Sequence, residues 1–205
     1  MALSSFVYIS NINNLSDARY AAGMGVDLLG FKLDPKNESS LNKRQFEEIS
    51  EWISGVKIVG EFGDSNPFEV KALLSDFSLD YLLVSLESNI HDFSMLGIPL
   101  IFKIVVGKDN IEALESTFNY CSGTIDYFLL ESDHLELDQS NKHVLEKYAT
   151  KYPIILGFGV DIDNASTIVH ELNLKGISLK GSAELRPGYK DFDEMANILE
   201  ALEID

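Results

Sequence analysis

The sequence contains one cysteine, Cys121, in 205 residues. A single cysteine excludes a disulfide within the chain and a metal site built from several thiolates. The N-terminal MALSS has no basic stretch ahead of the first apolar run, so it does not resemble a secretory signal. These features together predict a cytoplasmic protein.

Positive charge and long apolar runs are also scarce. Sixteen lysines and arginines stand against 33 acidic residues, which gives a formal net charge of −17. Such a charge opposes the counterion release that drives binding to nucleic acids, so no nucleic-acid partner is expected. No apolar run approaches the roughly 20 residues that span a bilayer, so no membrane partner is expected either.

The sequence lacks the common motifs for metals and nucleotides. Its histidines are scattered, and no pair has the spacing of metal ligands; they are His91, His134, His143 and His170. Walker, EF-hand and G-x-G-x-x-G patterns are absent. We therefore expect neither a metal ion nor another cofactor.

The chain does contain a regular alternation of short apolar runs with helical patterns, which is typical of parallel strands joined by crossover helices. The length suits one domain over residues 1–205. Eight such units without a linker predict an α/β fold, a single closed (β/α)8 TIM barrel. An open doubly wound sheet is the alternative, because strand count alone does not establish closure. The predicted strands are 6–10, 27–32, 57–62, 80–85, 99–106, 125–131, 153–158 and 176–181.

The predicted strands end in polar residues, and a barrel carries its functional groups at the C-terminal ends of its strands. These residues include Ser10 with Asn11, Lys32, Glu61, Ser85, Lys103, Glu131 and Lys180. Side chains alternate between the two faces of a strand, so the sequence does not decide which of them face the barrel mouth. A structural ring of ion pairs is the alternative interpretation.

Glycines mark the ends of the last two strands. Gly157 and Gly159 lie in PIILGFGVDIDN, and Gly181 precedes Ser182 in SLKGSAELRPGYKD. Bare backbone amides before a helix bind anions, and loops seven and eight of such barrels commonly hold a phosphate. The pattern predicts a site for a phosphorylated small molecule. Tight turns that need glycine are the alternative.

The order of segments resembles the phosphoribosylanthranilate isomerase family over nearly the full length. The matching stretches are NLSDARYAAGMGVDLLGFKLDPKN, PIILGFGVDIDNAS and KGSAELRPGYKDFDEM, the last of which keeps Glu184, Pro187, Gly188, Lys190 and Asp191. The resemblance implies a TIM barrel of the ribulose-phosphate-binding type and an isomerase of tryptophan biosynthesis that performs an Amadori rearrangement. No motif decides between a monomer and a homodimer.

The resemblance also implies catalytic positions that this chain fills differently. The family's first strand ends K-x-C-G-I-T with a cysteine as general base, and the matching YISNIN has Ser10 there. A serine hydroxyl cannot take a proton without a neighbouring base. Glu131 stands where the family has an aspartate as general acid, with its carboxyl displaced by about 1 Å.

Further departures lie at Ser39, Ser85 and Phe158, and in SDHLELDQSN after strand six. They predict a barrel that binds a phosphorylated small molecule but has lost the family's reaction. One alternative is an active, divergent isomerase with Glu131 as acid and Glu61 or Glu87 as base.

A second alternative is another aldolase- or isomerase-type barrel enzyme. Lys32, Lys103 or Lys180 would form a Schiff base in such an enzyme, and Glu61 or Glu131 would carry protons.

Overall fold

The computed structural model describes residues 2–63, 65–85, 90–181, 184–186, 189–190 and 193–204, with the backbone alone at 184–186, 189–190 and 193. Within these ranges, eight parallel strands pair in sequence order, and the first also pairs with the last. The predicted closed barrel is therefore confirmed, and the open sheet is excluded. The barrel strands are β1 Phe6–Ser10, β2 Leu28–Lys32, β3 Lys57–Glu61, β4 Tyr81–Ser85, β5 Leu100–Val105, β6 Tyr127–Glu131, β7 Ile154–Leu156 and β8 Gly176–Lys180.

A helix follows each barrel strand in the described part of the chain. The helices are α1 Leu15–Met24, α2 Lys43–Ser50, α3 Pro67–Leu73, α4 Ile90–Ser94, α5 Leu114–Cys121, α6 Gln139–Ala149, α7 Ala165–Glu171 and α8 Asp193–Ala201. A 3-10 turn at Ile111–Ala113 precedes α5. Two short antiparallel pairs join Ala2–Leu3 to Glu203–Ile204 and Glu184–Arg186 to Tyr189–Lys190. None of the helices described is long and apolar enough to span a membrane.

Asparagine side chains fix the starts of several helices. The side-chain oxygen of Asn14 accepts the N–H of Asp17 at 2.9 Å, and Asn42 and Asn66 each form a capping box. Helix α1 ends at Gly25, whose φ of 84° is the left-handed conformation that glycine adopts at low cost. These local signals fix where α1, α2 and α3 begin and where α1 ends.

Hydrophobic side chains pack in two layers around the barrel wall. The larger layer lies between the strands and the helices, as expected for strands that are apolar on both faces. The smaller layer fills the barrel interior and consists of Tyr8, Leu28, Val59, Tyr81, Leu83, Ile101, Leu129 and Ile155. Because side chains alternate along a strand, residues two positions beyond this layer reach the barrel mouth.

Aspartates bind neighbouring strands at the opposite, N-terminal end of the barrel. Asp27, just before β2, accepts the N–H of Val7 in β1 at 2.8 Å. Asp80 and Asp126 make the same bond to β3 and β5, respectively. Burial raises the pKa of Asp27 above its ordinary value, although the bond to Val7 opposes this. These bonds fix the strand register at an end of the barrel that is remote from the polar strand ends.

Candidate functional site

The C-terminal ends of the strands enclose a cavity of about 210 Å³, here called the central cavity. Its wall is built from seven different strands or the residues directly after them, and its polar members are Ser10, Asn11, Lys32, Glu61, Lys103, Glu131 and Lys180. Tyr8, Leu83 and Leu129 of the interior layer complete the lining. The structure thus brings most of the polar strand ends together. Ser85 is not among the described residues that line this cavity.

Two further cavities share residues with the central one. The glycine cavity, of about 240 Å³, runs along Gly157, Gly159 and Lys180 to helix α8. The Asp34 cavity, also about 240 Å³, is lined by Asp34 and shares Lys32 with the central cavity. The three cavities adjoin across the barrel mouth, so an elongated ligand could contact all of them.

The predicted phosphate loops have a more constrained geometry than the sequence suggests. Gly159 has a φ of 64°, which requires glycine or a similarly tolerant residue. At the start of α7, the N–H groups of Asp163 and Asn164 both donate to Asp161 Oδ1 at 3.0 Å. These two amides are therefore occupied by the loop itself. A phosphate role for Gly157 and Gly159 stays a prediction.

The second predicted phosphate loop lies at the end of β8. A Cβ atom on Gly181 would lie 2.9 Å from the carbonyl oxygen of Asn11, so glycine here allows β8 to approach the chain after β1. Ser182, Pro187, Gly188 and Asp191 lie outside the described residues, as does Glu87. Phosphate binding by Gly181 and Ser182 also stays a prediction.

Ser10 is buried and has its hydroxyl engaged with the backbone. Its Oγ donates to the carbonyl oxygen of Leu179 at 3.3 Å. Activation of a serine needs a side-chain base that takes this proton, and a carbonyl oxygen is too weak a base to do so. Ser10 therefore lines the cavity without the arrangement of an activated serine.

A hydrogen-bonded pair that no sequence motif indicates lies in the central cavity. The hydroxyl of Tyr8 donates to Glu61 Oε1 at 2.5 Å, and the backbone N–H of Asn11 donates to the same oxygen at 3.2 Å. Tyr8 is 0% and Glu61 8% exposed. The only sequence signal for Tyr8 is the period of two that places it on the same face of β1 as Ser10.

Burial is the largest influence on the pKa of both Tyr8 and Glu61. It raises the pKa of Glu61, while the bonds from Tyr8 and Asn11 and the charge of Lys103 act in the opposite direction. The pKa of Tyr8 is raised well above its ordinary value, first by burial and then by the charge of Glu61. The proton between them therefore stays on Tyr8, and Glu61 is a stronger base than an exposed glutamate.

Gly30 in β2 provides the space that the pair occupies. A Cβ atom on Gly30 would lie 2.1 Å from Glu61 Oε1 and 2.2 Å from the Tyr8 hydroxyl oxygen. Real Cβ atoms do not approach other atoms so closely. A glycine at position 30 of β2 is thus a condition for the contact between Tyr8 of β1 and Glu61 of β3.

A second carboxylate, Glu131, faces the same cavity from β6. Lys103 Nζ lies 3.1 Å from Glu131 Oε2, and the two side chains are 32% and 17% exposed. Lys180 lies 3.9 Å from Asp133, but both side chains are largely exposed, so this contact contributes little. Lys32 makes no ion pair among the residues that the structure describes. The wall thus combines two carboxylates with three lysines.

We expect replacement of Glu61 by glutamine to stabilise the protein at neutral pH. Because burial raises the folded-state pKa of Glu61, wild-type stability falls as the pH rises from the ordinary glutamate value of about 4.3 through that raised pKa. Glutamine carries no charge and keeps an oxygen that accepts the bonds from Tyr8 and Asn11. A gain of about 1 kcal/mol corresponds to about 2–4 °C in Tm for a chain of this size.

Thermal unfolding at pH 4 and pH 8 measures this effect. The Tm of the variant should exceed that of the wild type at pH 8, and the difference should shrink at pH 4, where Glu61 is mostly protonated in both states. Glu115→Gln is the matched control, since Glu115 is paired with surface lysines. A loss of Tm at pH 8 for Glu61→Gln alone would contradict the prediction.

The described residues do not form a recognisable metal site. No group of three or more His, Cys, Asp or Glu side chains in this part of the chain could hold a metal ion. The expectation that the protein needs no metal stays a prediction.

Comparison with known proteins identifies similar chains. The model of the family N-(5'phosphoribosyl)anthranilate (PRA) isomerase matches residues 7–201. The N-(5'-phosphoribosyl)anthranilate isomerase of Parabacteroides distasonis is 26% identical over 96% of this chain and 92% of its own length. The enzyme of the same name from Synechococcus sp. (strain JA-2-3B'a(2-13)) is 25% identical over 96% of this chain and 90% of its own length.

Solved structures of similar shape carry the same name. The phosphoribosyl anthranilate isomerase of Thermotoga maritima superposes with a TM-score of 0.78 at 21% identity, covering 97% of this chain and 98% of its own. A complex of such an isomerase with reduced 1-(o-carboxyphenylamino)-1-deoxyribulose 5-phosphate gives a TM-score of 0.77 at the same identity and coverage. Monomers generated from the dimeric Thermotoga maritima protein give 0.76. These likenesses support the barrel fold.

Proposed function

The chain belongs to the N-(5'-phosphoribosyl)anthranilate isomerase family, and on this premise we propose that it is an active isomerase of tryptophan biosynthesis. Its substrate would be phosphoribosylanthranilate, a phosphorylated aminosugar, and its product the corresponding 1-arylamino-1-deoxyribulose 5-phosphate. One observation carries the proposal: Glu131, which the resemblance matches to the family's acid, lines the central cavity together with a second carboxylate, Glu61. Two carboxylates can supply the acid and the base that the rearrangement needs.

The proposed reaction begins with Glu131 as proton donor. Glu131 gives its proton to the ring oxygen of the sugar, the bond from C1 to that oxygen breaks, and the lone pair of the nitrogen forms a C1=N iminium. Loss of the C2 proton then yields an enolamine, which becomes the ketone by gaining a proton at C1 and losing the hydroxyl proton at C2. Atoms balance without an oxidant or reductant. Ser10 does not serve as the base, because its hydroxyl is bonded to Leu179.

The cavity chemistry suits an anionic substrate of this class. Lys32, Lys103 and Lys180 supply positive charge around the central cavity. The glycine cavity adjoins at Lys180 and would take the phosphate, as the loop glycines predict. We propose a cytoplasmic enzyme, and a monomer and a homodimer are both compatible with this mechanism.

A steady-state assay of the purified chain with phosphoribosylanthranilate tests the proposal. We expect saturable conversion at least about 10⁶-fold faster than the uncatalysed reaction. Chromatography of substrate and product gives the rate, and the double variant Ser10→Cys, Glu131→Asp is assayed in parallel because it restores the family's residues.

The pattern of activities separates the candidate functions. Turnover by the wild type supports the isomerase. A silent wild type beside an active double variant would show a binding protein that has lost the family's reaction. Silence in both, with borohydride-dependent trapping of a carbonyl compound that is abolished by Lys103→Arg, would favour the Schiff-base alternative.

A further inference from the structure

We propose that Glu61, on β3, is the catalytic base that removes the C2 proton, with Tyr8 and Asn11 as its positioning residues. This inference rests on the proposed isomerase function and identifies the group that replaces the family's cysteine. The base would thus have moved from the end of β1 to a neighbouring position in the same cavity.

The carboxylate of Glu61 lies against the strand end where the family's base is found. Its Oε1 accepts hydrogen bonds from Tyr8 and Asn11, which are the second residue before and the first residue after Ser10. Glu61 also lines the central cavity together with Ser10 and Glu131. A proton acceptor is therefore present beside Ser10, although it belongs to β3.

The two hydrogen bonds fix one carboxylate oxygen and leave the other for chemistry. Both bonds end on Oε1, and among the described residues Oε2 accepts none. Glu61 lines the central cavity, and in this proposal Oε2 is the oxygen that meets the substrate there. A catalytic carboxylate needs a fixed position and a free oxygen that can accept a proton. The bonds to Oε1 supply the first, and Oε2 supplies the second.

The backbone conformation of Asn11 allows its N–H to reach Glu61. Asn11 has a φ of 59°, the left-handed conformation that asparagine tolerates better than most residues other than glycine. The resemblance places the glycine of K-x-C-G-I-T at this position. The conformation directs the N–H of Asn11 to Glu61, so the local strain has a contact that accounts for it.

Charged groups around Glu61 keep it usable as a base. The titratable groups that line the central cavity with it are Tyr8 from β1, Lys32 from β2, Lys103 from β5, Glu131 from β6 and Lys180 from β8. Burial raises the pKa of Glu61, which strengthens it as a base, while the bonds from Tyr8 and Asn11 and the charge of Lys103 favour its charged form. A carboxylate in this balance can take a carbon-bound proton near neutral pH.

The proposed step balances in atoms and electrons. The C2–H bond of the iminium breaks, and its proton goes to Glu61 Oε2. The electron pair of that bond forms C1=C2, and the C1=N π pair returns to nitrogen. Glu61 then returns its proton to C1 as the enol collapses, and the hydroxyl proton at C2 goes to Glu131, which restores both carboxyl groups.

Glu61→Gln tests the role of the base. We expect kcat to fall by about 100-fold or more and KM to change little, because general bases contribute about 10²–10⁴-fold. Glu115→Gln, on the surface of α5, is the matched control and should keep wild-type kinetics. Introducing Ser10→Cys into the Glu61→Gln variant should recover part of the rate, since it returns a thiol base. Circular dichroism and Tm verify that each variant folds.

Tyr8→Phe supplies a readout that a purely structural role would not move. The bond from Tyr8 lowers the pKa of Glu61, so its removal should shift the acid limb of the kcat/KM profile to higher pH. The same limb should vanish in Glu61→Gln. With substrate deuterated at C2, the isotope effect on kcat in Glu61→Gln should equal or exceed that of the wild type.

The outcomes separate a failure of the Glu61 assignment from a failure of the proposed isomerase function. An active wild type whose Glu61→Gln variant keeps full kcat and an unchanged acid limb overturns the assignment of Glu61 and leaves the isomerase function standing. An inactive wild type overturns both. A folded, inactive Glu61→Gln variant with partial recovery by Ser10→Cys supports the assignment.

Discussion

Replacement of Glu131 by glutamine should lower kcat by about 10³-fold, with KM within about threefold of the wild-type value. Glutamine has nearly the shape of glutamate but cannot donate a carboxyl proton to the sugar ring oxygen. The ring would then have to open without acid catalysis, and the penalty would fall on the transition state rather than on binding. Steady-state kinetics with phosphoribosylanthranilate measure both constants.

Glu131→Asp is the conservative partner of this experiment. Aspartate keeps the acid and is one methylene shorter, so activity should stay within about 100-fold of the wild type. Loss of the ion pair with Lys103 could lower activity through structure alone. Lys103→Met therefore serves as a control, since it also breaks the pair and retains the acid. Equal losses in Glu131→Gln and Lys103→Met would assign the effect to the pair and contradict a role as proton donor.

Gly30→Ala should damage both stability and catalysis, although Gly30 carries no functional group. Its new Cβ would collide with Glu61 Oε1 and the Tyr8 hydroxyl. The pair must separate or the strands must shift, and overpacking of this kind costs about 1–3 kcal/mol. We expect kcat per folded molecule to drop by about 100-fold, because the proposed base would lose its position. Denaturant unfolding and kinetics on the same samples measure the two effects.

Gly176→Ala is the matched control at the other end of the barrel. A Cβ on Gly176 would lie 2.1 Å from the carbonyl oxygen of Phe6, so this variant should also lose stability. Gly176 contacts no residue of the central cavity wall through that atom, and kcat per folded molecule should therefore be retained. Equal kinetic losses in the two variants would show that Gly30 acts through general stability.

The barrel was predictable because its strands are covered on both faces. Stretches such as YLLVS in β4 and YFLLE in β6 are apolar without alternation, which marks buried parallel strands, and their bounds agree with the structure within two residues. Closure could not be derived from strand count, since it depends on the pairing of β1 with β8, far apart in the chain. Strand β7 ends two residues before its predicted end, and Phe158, although buried, lies in the loop that follows it.

The site was predictable only in part, because some of its contacts join residues that are far apart in the sequence. Polar residues at strand ends stand out in a sequence, and most of them line the central cavity. Tyr8 does not stand out, because a tyrosine inside an apolar run looks like a core residue, and its partner Glu61 is 53 residues away. Pairing across a barrel follows from geometry rather than from local pattern. The sequence also does not show that the N–H groups of Asp163 and Asn164 are bonded to Asp161, since those bonds depend on the orientation of the Asp161 side chain.

The distribution of charge on the protein affects the rate at which an anionic substrate reaches the barrel mouth. A body of net charge −17 repels an approaching anion over long distances, whereas Lys32, Lys103 and Lys180 attract it only close to the mouth. Salt screens distant charges first, because the Debye length is about 8 Å at 0.15 M ionic strength. Moderate salt should therefore lower the outer barrier while leaving the inner attraction largely intact. Diffusional encounter with substrate would then be favoured at cellular ionic strength over dilute buffer.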